Sequence, residues 1–378
     1  MKVCHLSSVH QRNDTRIFFK ECMTLQKNGY DTFWIVADGL GDEVKNGVSI
    51  IDVGLSTNRF SRIFSSTIKV FSRARKLNAD IYHFHDPELA PICLLFRLMS
   101  KPVIFDVHEN VAEQIKDKQW LSPTFARFLS FLFMLLNKVF TRFYNIIIAE
   151  YSYATLYENK KSKNKFEVIL NFPEVQFLEK FKNIKRKGHE FFYIGVVSND
   201  RGLEVILDAL NILDSKNFDF KMHFVGRLFD EVDWVKYASI KDKVIFYGRK
   251  SLDEGYAIST QCIAGLAVLK PIGNYVGSYP TKVFEYMAIG LPTITSNFAL
   301  YKQIVEENKV GWCVDPYSPE DLAEIMISIL ESNSLEEVSN FALSASEKYS
   351  WQTESVKLLN MYESILGLNN NTIYNQNR

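Results

Sequence analysis

Residues 262–296 read CIAGLAVLKPIGNYVGSYPTKVFEYMAIGLPTITS. An apolar run ends at Leu269, a polar loop follows, a short segment from Pro280 to Ile289 is opened by proline and closed by Gly290, and PTITS resumes the apolar pattern. Proline at a helix start and glycine just past its end are strong punctuation, so the stretch predicts strand, helix, strand. The helix carries one misfit. Glu285 sits among Val283, Phe284, Met287 and Ala288, and a carboxylate in that company requires a partner.

Outward from this stretch the same alternation recurs. KVCHLSS, DTFWIVA, DIYHFH, PVIFDVH and NIIIAE, then EFFYIGVV, DFKMHFVG and KVIFYG, are β-rich runs separated by amphipathic segments. This predicts an α/β class with parallel sheets covered by helices on both faces. At 378 residues the chain exceeds what one core serves, and its 47% apolar composition fills two. A charged stretch interrupts the alternation, which gives residues 1–170 as a first domain, 171–187 as a linker and 188–350 as a second domain. A helix over 351–366 is expected to pack back on the first domain, and 367–378 to be a disordered tail. Two doubly wound, Rossmann-like domains facing across a cleft would hold ligands where the carboxyl ends of their sheets meet.

Formal net charge is zero, yet residues 1–170 hold 23 Lys/Arg against 17 Asp/Glu while the remainder holds 21 against 27. The asymmetry points the first half toward an anionic surface or substrate and away from nucleic acid. Five scattered cysteines fit a reducing compartment, and MKVCHLSSVH is no signal peptide, so a cytoplasmic location is expected. The run FLSFLFMLL falls short of the roughly 20 residues that cross a bilayer, so no transmembrane segment is expected. There is no G-x-G-x-x-G after the first strand, no P-loop and no D-x-D, so a nucleotide would have to be held by side chains and helix ends. Thr281 and Lys282 open a helix whose free N–H groups suit a diphosphate, and Glu285, one turn further in, can accept two hydrogen bonds from a ribose diol. Composition alone leaves open a plain core helix with a snorkelling charge.

PTKVFEYMAIGLPTI resembles the signature helix of family-4 retaining glycosyltransferases of the GT-B fold. VHQRNDTRIFFKE, HFHDPELAP, VIFDVHEN, VILNFP, YIGVVSNDRGLEVILDAL, KMHFVGR and SWQTESVKLLNMYESIL follow in that family's order over nearly the whole chain. The resemblance implies transfer of a sugar from a nucleotide-diphosphate donor, with Glu285 on the ribose, no catalytic metal and no further cofactor. It departs from the family at two points. Gly277 replaces the first of the family's two glutamates, leaving Asn274 and Tyr275 to contact the donor sugar. In GVVSNDRG, Val196 replaces the usual Arg and Arg201 the usual Lys, so Arg201 and Lys282, with Lys270 as a further candidate, would neutralise the leaving diphosphate.

By the same resemblance, His108 lies beside the donor sugar, flanked by Asp106 and Glu109. The loop after the first strand, with Ser8, His10, Asp14 and Arg16, would meet the acceptor; Asp14 capping the helix Thr15–Lys27 is the structural alternative. His83 and His85 alternate along a strand and, with Asp86, are weak metal candidates; Asp86 as the cap of a helix starting at Pro87 is preferred. No acidic residue lies between Val53 and Ala79, where Arg59, Arg62, Lys69 and Arg73 alternate with apolar residues at helical spacing. With LSPTFARFLSFLFMLLNKVFTRF this suggests a peripheral inner-leaflet membrane surface, and a lipid-linked glycan of surface-polysaccharide assembly as acceptor. A sugar-nucleotide epimerase, a catalytically silent binding subunit and a metal-dependent hydrolase built on His83, His85 and His108 are the rival readings.

Overall fold

The computed structural model describes residues 1–56, 58, 62–116, 121–158 and 163–368. They form two compact units, one of Met1–Asn171 joined by the segment from Glu354 onward, the other of Phe172–Thr353. Arg59 and the tail beyond residue 368 lie outside the described residues.

The first unit is built on β1 (Lys2–Leu6), β2 (Asp31–Val36), β3 (Glu43–Lys45), β4 (Val48–Asp52), β5 (Ile81–Phe84), β6 (Val103–Val107), β7 (Asn145–Ile148) and β8 (Phe166–Val168). Their order is β3-β4-β2-β1-β5-β6-β7-β8, parallel throughout except for β3 against β4. Because β1 pairs with β2 on one side and β5 on the other, the winding reverses between β1 and β5. The strands read as continuous buried apolar runs, as expected of a sheet covered on both faces. His5, His83 and Asp106 break that rule, and all three are fully buried.

The second unit carries β9 (Glu190–Ile194), β10 (Lys221–Val225), β11 (Val244–Phe246), β12 (Ala264–Ala267), β13 (Thr293–Ser296) and β14 (Gly311–Val314), ordered β11-β10-β9-β12-β13-β14 and all parallel. Its switch point falls between β9 and β12, flanking the stretch that opened the sequence reading. Phe191, Leu210, Met222, Leu266, Ile294 and Met326 form the core there.

Three expectations need correction. The stretch 171–187 is no free connector: from Phe172 it belongs to the second unit, and the buried Arg186 guanidinium donates to the carbonyls of Gly290, Ser259, Cys262 and Ile289. The apolar helix is longer than its hydrophobic core run, spanning Pro123–Phe140 with a Ser122 cap. Pro123–Phe143 is the one described segment long and apolar enough to cross a membrane, with only 11% of its apolar window buried. The first helix begins as a π-turn, Ile17–Cys22, before becoming regular at Met23–Lys27.

Candidate functional site

In the second unit the loops after β9 and β12 are tied together. Lys270 N–H donates to Asp200 O at 3.0 Å, and Tyr286 OH receives Ile194 N–H while donating to Leu266 O. Gly202 has φ +88, and a Cβ there would run into the carbonyl oxygen of Val268, so only glycine permits this close approach. Arg201, on this turn, is near enough to Lys282 at the start of the helix Thr281–Ala288 for its charge to act on that ammonium.

Lys282 leaves that helix start with its Nζ buried, 3.7 Å from the centre of the Tyr193 ring, and meets no hydrogen-bond acceptor among the described residues. Burial first, then the charge of Arg201, bring this ammonium down to about 7, with Glu285 only partly opposing. An uncompensated buried cation next to an arginine is a strong demand for an anion. The Arg201 guanidinium lies 5.3 Å from the Tyr275 ring. Glu285 is half-buried, and its partner is Tyr256, whose hydroxyl donates to Oε2 at 2.6 Å. Thr281, Asn274 and Gly277 are exposed. The structure thus gathers Arg201, Lys282, Glu285, Thr281 and Tyr275 about one helix end.

The first unit places its polar residues at the carboxyl ends of β1, β5 and β6. A cavity of about 260 Å³ there is lined by His10, Arg62, Asp86, Glu88, His108 and Glu109, among others. His10 Nδ1 contacts Asp14 Oδ2 at 3.0 Å; burial works against its charge, but Asp14 and Asp86 outweigh it and raise its pKa. Asp14 also accepts the N–H groups of Arg16 and Ile17, so its predicted role as a helix cap and its place near the cavity coexist.

Other residues depart from expectation. Arg16 is not at the surface: its guanidinium clamps Asp106 with bonds of 3.0 Å, donates to Ile169 O and lies 3.1 Å from Glu21. Ser8 is turned inward, its N–H and hydroxyl spent on Asp86 and Glu88, so it cannot serve a phosphate. Asp86 stands at the N-cap of the helical turn at Pro87, but its side chain makes no cap bond and instead accepts from Ser7 Oγ and the N–H groups of Ser8 and Val9. Arg62 is paired with Glu88 at 3.1 Å and Arg73 with Asp42 at 3.5 Å, while Lys69 is exposed. Tyr256, Tyr286 and Tyr362 could not be found from the sequence, because each acts on a partner far away in the chain.

Residues 175–345 match the model of the family described as Glycosyl transferases group 1. Spore coat protein SA of Bacillus subtilis is 26% identical over 45% of this chain and 48% of its own length. A phosphatidyl-myo-inositol mannosyltransferase of Mycobacterium leprae is 21% identical over 78% of this chain and 77% of its own. The chain therefore spans about half of one of these relatives and three quarters of the other. Among solved structures, sucrose-phosphate synthase of Thermosynechococcus elongatus superposes with a TM-score of 0.70 at 12% identity, covering 97% of this chain and 99% of that one. Anabaena HepE, solved with UDP and glucose, gives 0.66 at 14% identity over 96% of this chain and all of that one. The chain has the GT-B fold of these solved structures, and the match to Glycosyl transferases group 1 extends over residues 175–345 of its second unit.

Proposed function

We propose that this protein moves a sugar from a nucleoside-diphosphate donor to a hydroxyl of a lipid-linked glycan, with retention at the anomeric carbon. The observation that carries this reading is Lys282, a buried ammonium with no acceptor among the described residues, near Arg201 and at a helix N-terminus. A diphosphate completes that site: it accepts from Lys282, Arg201 and the first helix N–H groups, while Glu285 takes the ribose diol. In the transfer the bond from the anomeric carbon to the diphosphate oxygen breaks and the acceptor oxygen bonds to the same carbon. The acceptor proton leaves with the diphosphate. Cations that neutralise the departing charge supply the main stabilisation, so no resident metal or cofactor enters the proposal.

The first unit takes the acceptor. Its 260 Å³ cavity adjoins a second of about 420 Å³ that shares Phe133 and Tyr157 with it and runs beneath the helix Pro123–Phe140. That helix leaves Phe125, Phe128, Phe131, Leu135 and Leu136 exposed, an apolar face next to Lys138 and Arg142. A polar recess opening toward an apolar, basic surface suits a sugar carried on a lipid at an anionic inner leaflet. Surface-polysaccharide assembly is the setting we infer, with a hexose or N-acetylhexosamine as the transferred unit. The test is to offer a panel of nucleotide sugars together with membrane lipid extract and to weigh the products. A lipid-linked product extended by one sugar is expected; turnover without acceptor, or no product from any donor, would overturn the reading.

A further inference from the structure

The interior of the first unit holds a chain of polar groups that the donor and acceptor sites leave unexplained. His108 Nε2 lies 2.9 Å from Asp106 Oδ2 and 3.1 Å from His85 Nδ1. His85 Nε2 lies 3.0 Å from His5 Nδ1, His5 Nε2 lies 3.4 Å from Tyr362 OH, and Tyr362 OH lies 2.7 Å from His83 Nδ1. His5, His83 and His85 are buried, and burial foremost keeps all three rings neutral, His85 down at about 4. Each neutral ring has one donor and one acceptor, so the protons can run through the chain in one of two directions only.

Two observations select the direction. His83 Nε2 is buried without a hydrogen-bond partner among the described residues, and a bare lone pair there costs less than an orphaned N–H. His85 Nδ1 lies 3.5 Å from Asp106 Oδ2, and Asp106 is ionised: burial raises its pKa, but Arg16, with help from His108 and His85, holds it well below the usual carboxylate range. His85 Nδ1 and His108 Nε2 both face that oxygen, so both carry a hydrogen and share the oxygen as acceptor, and the 3.1 Å between them is a contact of two donors, not a link of the chain. We propose that His83, Tyr362, His5 and His85 form a one-way chain of donors ending at Asp106, and that they are positioning residues for His108. His83 Nδ1–H donates to Tyr362, Tyr362 to His5 Nε2, His5 Nδ1–H to His85 Nε2, and His85 Nδ1–H to Asp106. Held between Arg16 and these donors, Asp106 fixes the hydrogen of His108 on Nε2. The Nδ1 of His108 is then a lone pair, able to accept a sugar hydroxyl in the cavity that His108 lines. This role of His108 rests on the glycosyltransferase reading, whereas the proton order does not.

The same atoms invite another occupant. His5, Glu21, His83 and His85 offer four ligand atoms within 4.8 Å of one another, the makings of a metal cage. Glu21, however, is pushed well above the carboxylate range by burial and by Asp106, so it is a neutral acid beside the Arg16–Asp106 ion pair and the pocket is already charge-balanced.

Nitrogen-15 NMR of histidine-labelled full-length protein reads the proton positions directly, with signals assigned from single substitutions. The expected pattern is Nδ1–H for His5, His83 and His85 and Nε2–H for His108. Nε2–H on all four, or a stoichiometric metal ion co-purifying with the protein, would overturn the chain. His85→Asn and His85→Gln separate positioning from mere packing, since Asn places its amide near Nδ1 and Gln near Nε2. His85→Asn should keep His108 as Nε2–H and hold kcat within about threefold, while His85→Gln should mix the His108 tautomers and lower kcat about tenfold with donor KM unchanged. Equal losses in both variants, with an unaltered His108 spectrum, would contradict the positioning role. If the wild type transfers no sugar, the spectra alone decide the chain and the glycosyltransferase reading fails separately.

Discussion

Lys282 concentrates the argument at the scale of the residue. A side chain that is costly in the free protein and compensated only by an anion should show opposite effects on stability and on binding. Replacing it in Lys282→Met removes a buried unpaired charge, and melting temperature should rise by about 2–4 °C. The same variant should bind nucleoside diphosphate about 100-fold more weakly, as measured by calorimetry. Its pH behaviour has a definite sign. Burial foremost lowers the free ammonium to about 7, while a bound diphosphate would restore its proton. Above pH 7 the complex therefore holds more protons than the free protein, so binding takes up a proton and affinity falls as pH rises. Calorimetry in buffers of different ionisation enthalpy at pH 8 should show that uptake; none would count against Lys282 as the diphosphate ligand. Glu285 was legible as a misplaced carboxylate in an apolar helix. Its partner was not, because Tyr256 lies 29 positions earlier and nothing local links the two.

Among the elements, the turn at Gly202 and the helix Pro123–Phe140 make the clearest demands. Gly202→Ala meets both a left-handed backbone and the Val268 carbonyl, so it should destabilise the second unit by about 2 kcal/mol or more in chemical denaturation. The long helix buries only Ala126 and Ser130, while Phe128 and Phe131 are 58% and 61% exposed. Replacing both with Asp should cut co-sedimentation with anionic vesicles at least tenfold without loss of fold, since each exposed ring can contribute about 1.5–3 kcal/mol on burial. Vesicle binding that ignores these changes and is also indifferent to salt would remove the membrane from the account. Strands with long β-branched or aromatic runs were readable in the sequence. Three-residue β3, β8 and the Gly-led β14 were not, because so few residues carry no period and their pairing partners alone make them strands.

For the whole molecule, alternation of strands and helices foretold two doubly wound sheets, yet the charged stretch 171–187, where that alternation lapses, did not reveal that it belongs to the second unit. The second unit begins at Phe172, and the first is completed by residues from the far end of the chain. Within that completion, Leu358 and Tyr362 are fully buried and Glu354 accepts Leu170 N–H at 2.8 Å. Ending the chain at Thr353 should cost the first unit on the order of 5 kcal/mol and strip its amide protection in hydrogen exchange, while the second unit stays protected. Binding of a nucleoside diphosphate to the second unit through Lys282 and Arg201 underlies the proposed transfer. Titrating the intact protein and Lys282→Met with UDP, GDP, ADP and TDP tests it most directly. At least one nucleotide should bind the wild type and lose about 100-fold in the variant; no binding by any of the four, or equal affinity in both proteins, would contradict it.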